Sequence, residues 1–302
     1  MDSLLKVLRN PLGLAGVLLI LFWAVIALSA PALCPPAHAD APYAIARISY
    51  SSIPGPPSAK AWLGTTGGGY DILYGIVWGS RNAFRVGLVV VSVSLVIGVL
   101  LGGIGAFIGG WADEIVMRVT DLFMSFPFLI AVIVMSIVLG KGLDKMIIAL
   151  IVFGWRQYAR IMRGEVLAIK GKDFVNSARS IGMSSTRLFF RHVLPNAIFP
   201  AFVLASLDIG ATVLIAASLS FLGVGAEPGF ADWGQMINFS RGWVLGVTGS
   251  PFLYWYTYVY PSLAIVTFVL GWTLLGDILR DVLDPKLRKS LYKSKGGGDE
   301  QG

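Results

Sequence analysis

The sequence predicts an all-α integral membrane protein with six transmembrane helices. The chain has 302 residues, of which 56% are hydrophobic and only 14% charged, and its mean hydropathy is +0.74. The apolar residues also gather in runs near the roughly 20 residues that carry a helix across about 30 Å of hydrocarbon. A water-soluble core of this size has no place for so much apolar surface, so the bilayer is the main solvent.

The first run, Leu12 to Ala30, follows Lys6 and Arg9. It reads as a retained span or as a secretory signal, with Ala37-His38-Ala39 before Asp40 as the cleavage site; its length exceeds the ~7–15-residue core of a signal, which favours the span. The stretch from Pro31 to Arg85 reads as an irregular external loop. The second run, Val86 to Ile108, carries Gly98 and Gly102, then Gly105 with Gly109 just beyond. These small-xxx-small spacings let helix backbones approach closely, within the chain or against a second membrane subunit.

The third run, Leu122 to Leu139, contains Pro127, which removes a backbone donor and bends a helix. The fourth, Met146 to Met162, is the weakest. Its apolar part ends near Trp155, and Arg156 and Arg160 are expected to snorkel to an interface. The fifth, Ala197 to Leu222, holds Pro200, expected to bend it, and Asp208 near its middle. An ionisable group at that depth is costly, which makes Asp208 a candidate for a translocation path, or else a side chain hydrogen-bonded to a neighbouring helix. The sixth runs from Val259 to Leu279.

Six spans place both termini and the segment 163–196 on one side. Only Arg47, Lys60, Arg81, Arg85, Lys141, Lys145 and Arg241 of the 24 lysines and arginines fall on the other. Basic residues collect in cytoplasmic loops, so the first side is cytoplasmic and the net charge of +7 reports orientation and not nucleic-acid binding. The C-terminal stretch 286–302, with Lys293 and Lys295 before three glycines, reads as a basic lipid-proximal tail.

The segment 163–196 is the polar break in this apolar chain. Phe174, Ala178 and Ile181 fall at i, i+4 and i+7, on one face of a short helix, with Lys172, Asn176 and Arg179 elsewhere around it. Asp173 is the expected N-cap and Gly182 the expected stop. A second short helix is expected after Ser184, carrying Leu188 and Phe189 toward His192 and Val193 before Pro195. Such an apolar stripe lies at lipid headgroups or seats in a groove of another protein.

Other chemistries find little support. Cys34 is the single cysteine, and His38 and His192 are far apart, so no disulfide or metal cluster of the usual spacing can be built. Cys34 and His38 lie among Pro31, Pro35 and Pro36, which suggests a turn and not a nucleophile with its base. Gly67-Gly68-Gly69 lacks the lysine of a phosphate-binding loop. An ion-coupled secondary transporter would show paired intramembrane acids or an internal repeat, and here one central acid stands alone.

From Asn176-Ser177-Ala178 through Gly182 to Leu194-Pro195 the spacing resembles the EAA signature of ABC-importer permeases, with Asn176 and Ser177 replacing the Glu and first Ala and His192 at an apolar position. Gly109 to Glu114, Gly154 to Arg160, Arg191 to Asn196, Leu219 to Gly225 and Leu275 to Pro285 are similar to the dipeptide/oligopeptide/nickel permease family. Asn10-Pro11-Leu12 and the added first span resemble its C subunit.

The resemblance implies a MetI-like type I core of five helices in 86–285, plus an added N-terminal helix in 1–30 and the external loop 31–85. It further implies coupling of Phe174, Asn176, Ser177, Ala178, Arg179, Ile181 and Gly182 to an ATP-binding subunit. The implied partners are a homologous permease, two ATP-binding subunits holding ATP and Mg²⁺, an external solute-binding protein and the lipid bilayer. This chain itself is expected to bind no cofactor, and to be no enzyme. Peptides are the expected cargo, with nickel, glutathione and oligosaccharides the alternatives.

Overall fold

A computed structural model describes residues 10–36, 39–246, 250 and 252–283. The basic tip at Lys6 and Arg9, His38 within the alternative cleavage site, and the tail 286–302 lie outside the described residues. Among the described residues the chain is helical, with only isolated β-bridges such as Ala44 to Phe230 and Arg47 to Tyr70.

The long helices are α1 (Pro11–Leu33), α2 (Ile72–Ile108), α3 (Gly110–Met124), α4 (Phe128–Leu139) and α5 (Leu143–Lys170), followed by the short α6 (Asp173–Ser180) and α7 (Ser185–Leu188). A π-helical turn, Phe189–Val193, leads through α8 (Leu194–Ala197) into α9 (Phe199–Phe221); then come α10 (Trp233–Phe239), α11 (Arg241–Val244) and α12 (Tyr256–Leu283). Four of these, α1, α2, α9 and α12, are long and apolar enough to cross a membrane, or five if α3 and α4 count as one bent span.

Several boundaries differ from those expected. Helix α1 runs through Pro31 to Leu33. Helix α2 starts at Ile72, where the Asp71 carboxylate accepts from the Leu73 and Tyr74 amides at 2.8 and 3.2 Å, so the external loop ends well before Arg85. Its 37 residues span about 55 Å, far more than the hydrocarbon alone requires. The expected third span is instead two helices meeting at 88° across Ser125-Phe126-Pro127, since Pro127 supplies no amide to continue the ladder. Pro200, by contrast, sits in the first turn of α9, where a missing N–H costs nothing, and produces no break there.

The fourth span is the middle of a longer helix. Helix α5 continues to Lys170 because its charged residues find partners: Arg163 grips Asp113 with two hydrogen bonds of 2.7 and 2.8 Å, and Arg160 meets Asp121 at 2.5 Å. At 28 residues it is long enough to cross, yet its charged half keeps it out of the apolar set, and a count of six spans does not follow from length and apolarity.

Helices α2 and α5 form the most extensive helix pair. They run parallel, since Arg85 meets Asp144 at 2.7 Å near the start of both while Lys170 donates to the Ala106 carbonyl at 3.3 Å near the end of both. The glycine spacing serves this seam: a Cβ on Gly98 would lie 2.4 Å from Tyr158 Cβ, and one on Gly102 would lie 2.1 Å from the Ala159 carbonyl oxygen. These glycines pack within the chain.

The loop before α2 folds over the ends of the helices as a cap. Tyr43 stacks on Phe230 at 5.3 Å, the Ala231 amide donates to the Tyr43 carbonyl at 2.7 Å, and Tyr70 is buried beneath Arg47. Helix α10 seats in this cap by its N-cap, Asp232, which accepts from the Gln235 amide at 2.8 Å and from the Asn82 side chain of α2 at 3.2 Å.

Candidate functional site

Helix α6 stands on the opposite end of α2 and α5, reached from Lys170 through Gly171 and Lys172. Lys172, and not Asp173, occupies its N-cap, and no side chain caps it; Asp173 is the first helical residue, where its charge favours the helix dipole. Gly182 ends it as expected. At φ +81° it permits the Gly182 amide to reach the Arg179 carbonyl at 3.0 Å and the Met183 amide to reach that of Ala178 at 3.2 Å, a Schellman closure.

The expected stripe divides. Phe174 and Ile181 are exposed, Ile181 to 81%, while Ala178 turns inward at 7% beside the fully buried Val175. The reason is a three-residue step: Val175 and Ala178 join Val166 and Ile169 of α5 and Leu188, Phe189 and Val193 of the following turns in one apolar cluster. Val175 was not among the expected residues, although its spacing to Ala178 carried the signal.

Asn176, Ser177 and Arg179 are exposed with Phe174 and Ile181. The Asn176 amide donates to the Gly171 carbonyl at 3.4 Å, a neutral tie where the family signature has a carboxylate. The second helix begins at Ser185 and passes into the π-helical turn, where Phe189 packs on Phe107 of α2 with ring centroids 5.2 Å apart.

Asp208 faces a different region. Its carboxylate accepts a hydrogen bond from the Tyr158 hydroxyl at 2.7 Å, and both line a cavity of about 220 Å³ with Ser94, Arg156, Gln157 and Thr212. Of the two roles read from the sequence, the hydrogen bond to a neighbouring helix is present, and the same carboxylate also borders a cavity. Arg156 does not snorkel. It is buried, its guanidinium 4.6 Å from the centre of the Phe128 ring and donating to the Phe153 carbonyl. Tyr158 went unnoticed in the sequence, where no acid–hydroxyl pairing across 50 positions leaves a periodic trace.

Among the described residues no group of three His, Cys, Asp or Glu side chains could hold a metal ion.

A helical membrane chain with a short, partly exposed amphipathic helix between spans matches a known class. Residues 94–289 match the family described as the binding-protein-dependent transport system inner membrane component, and the chain belongs to it. It is therefore a multi-pass permease of an inner-membrane ABC importer.

Among relatives, it is 33% identical to the dipeptide transport system permease protein DppC of Alkalihalophilus pseudofirmus, over 93% of this chain and 88% of that one. It is 34% identical to the oligopeptide permease OppC of Bacillus subtilis over 95% and 90%, and 38% identical to the glutathione permease GsiD of Pectobacterium atrosepticum over 77% and 75%. The fold is similar to that in inward-facing structures of the MetNI methionine ABC transporter, with a TM-score of 0.54 at 20% identity, over 70% of this chain and 97% of that one.

Proposed function

We propose that the chain is the C-type permease half of an ATP-driven peptide importer, with the helix Asp173–Ser180 and the turn at Gly182 as its coupling element. The observation that carries the coupling role is the split of α6: Val175 and Ala178 anchor it in the protein while Phe174 and Ile181 remain exposed at its ends. An apolar pair held on a rigid support suits helix-in-groove docking to another protein. The groove belongs to an ATP-binding subunit, ATP and Mg²⁺ are bound there, and both termini lie in the cytoplasm with α6.

A homologous permease completes the path, Asp208 lines it, and a solute-binding protein delivers the cargo to the opposite face. Peptide cargo is supported by the dipeptide and oligopeptide permeases among the relatives, and the glutathione permease falls in the same chemical class. The reading is tested in vesicles holding the assembled importer, where Phe174→Asp leaves membrane insertion intact but removes peptide-stimulated ATP hydrolysis. Full coupled import in that variant would reduce α6 to a helix resting on headgroups, and uptake by the lone chain driven by an ion gradient would overturn the importer reading itself.

A further inference from the structure

The cavity between α2, α5 and α9 holds an unusual set of groups for the interior of a membrane protein. Asp208 supplies an anion and Arg156 a cation, and the two are not paired with each other: the Asp208 carboxylate is held by Tyr158, and the Arg156 guanidinium is held by the Phe153 carbonyl and the Phe128 ring. Arg156 is 92% buried by its 8% exposure, yet its Nε has no hydrogen-bond partner. The Ser94 hydroxyl on the same wall is also buried and without a partner.

Burying such groups unsatisfied is expensive, each costing more than an ordinary hydrogen bond returns. Two opposite charges and an unsatisfied hydroxyl around one cavity point to a ligand that itself carries both charges.

We propose that this cavity is a transit subsite for a zwitterionic peptide, taking its ammonium group at Asp208 and its carboxylate at Arg156 and Ser94. The proposal rests on the reading of the chain as a peptide permease and adds how the membrane part recognises its cargo. The ammonium would add to the hydrogen bond from Tyr158, because a carboxylate has four acceptor sites and Tyr158 uses one. The carboxylate would receive the free Arg156 Nε–H, a charge-assisted bond. Gly98 shapes the wall, since any side chain there would displace Tyr158.

The test uses the assembled importer in vesicles, with Cys34→Ser removing the native thiol and Thr212→Cys placing a reporter on the cavity wall. The rate at which a small neutral methanethiosulfonate modifies Thr212→Cys is measured with dialanine and with N-acetyl-dialanine amide, which carries neither charge. Dialanine is expected to slow modification about tenfold more than its capped form, the difference one charge-assisted contact makes. Asp208→Asn and Arg156→Gln, each added to the reporter, are expected to abolish that difference.

Equal protection by both peptides, protection that survives in both charge variants, or none in an importer that moves dialanine would each overturn the subsite. Import is followed in the same vesicles: a complex that moves no dialanine fails the peptide-permease reading, while selective protection in that complex still upholds the subsite.

Discussion

The two ends of this molecule are finished in opposite ways, as two glycines show. In the cap, Gly234 lies in α10 with no room above it: a Cβ would sit 2.0 Å from the Ala217 carbonyl oxygen. At the other end, Gly182 has nothing within 4 Å, and what fixes it is its φ of +81°. The cap closes on the chain's own atoms, with Asp232, Tyr70 and Trp233 buried. Helix α6 is anchored on one side only and leaves Phe174 and Ile181 outside. One end is packed against its own chain, and the other leaves apolar side chains uncovered.

The contrast can be broken in four places, and the largest effect is expected at Gly234. Gly234→Val drives side-chain carbons into the backbone of α9, and a loss of more than about 3 kcal/mol is expected in thermal unfolding of the detergent-solubilised protein. A melting temperature equal to the wild type would mean the cap is looser than its packing implies.

Asp232 gives the next effect. Burial pushes its carboxyl up to about 6, against about 3.9 in an unfolded chain. The folded protein thus binds this proton more tightly, so the group favours folding most below about pH 4, and its contribution falls by about 3 kcal/mol as pH rises past 6. Asp232→Asn cannot ionise, so the difference between its stability and that of the wild type should change across pH 4–6 and be level above. A constant difference throughout would place the charge elsewhere.

At the other end the effects on stability are small. Gly182→Ala meets no clash but must hold a left-handed backbone, a cost of about 1–2 kcal/mol, read as a modest drop in melting temperature. Ile181→Asp, at an exposed site, should change stability by less than about 0.5 kcal/mol while reducing the ATP hydrolysis stimulated by the assembled importer. A stability loss as large as that at Gly234 would show that Ile181 packs within its own chain.

The sequence displayed the membrane class, the helices around Leu12, Ala197 and Val259, and the glycine closure at 182, because each rests on a local pattern. It hid what depends on distant partners. The start of α2 was obscured by Ser80, Arg81 and Asn82, which lower hydropathy; the first and third of these are buried in the cap. The charged half of α5 looked like an end to the helix until Asp113 and Asp121 supplied its ion pairs. Pro127 marked a bend in the third run, but nothing local told that it would turn the chain by 88°. At the candidate site the helix was legible and its buried face was not. A four-residue spacing grouped Ala178 with Phe174 and Ile181, where the protein groups it with Val175.

Helix α5 has a mechanical consequence. Over 28 residues, about 42 Å, it contains no proline and no interruption, and its first turn is tied to α2 through Asp144 and Arg85. The glycine seam clamps it again near mid-length at Tyr158 and Ala159. Only Gly171 and Lys172 separate its last turn from α6. A push received at Phe174 or Ile181 therefore meets one short elbow and then a stiff shaft, and Tyr158, with its grip on Asp208, rides on that shaft. Any stroke that displaces α5 along its axis moves the hydroxyl relative to the carboxylate on α9.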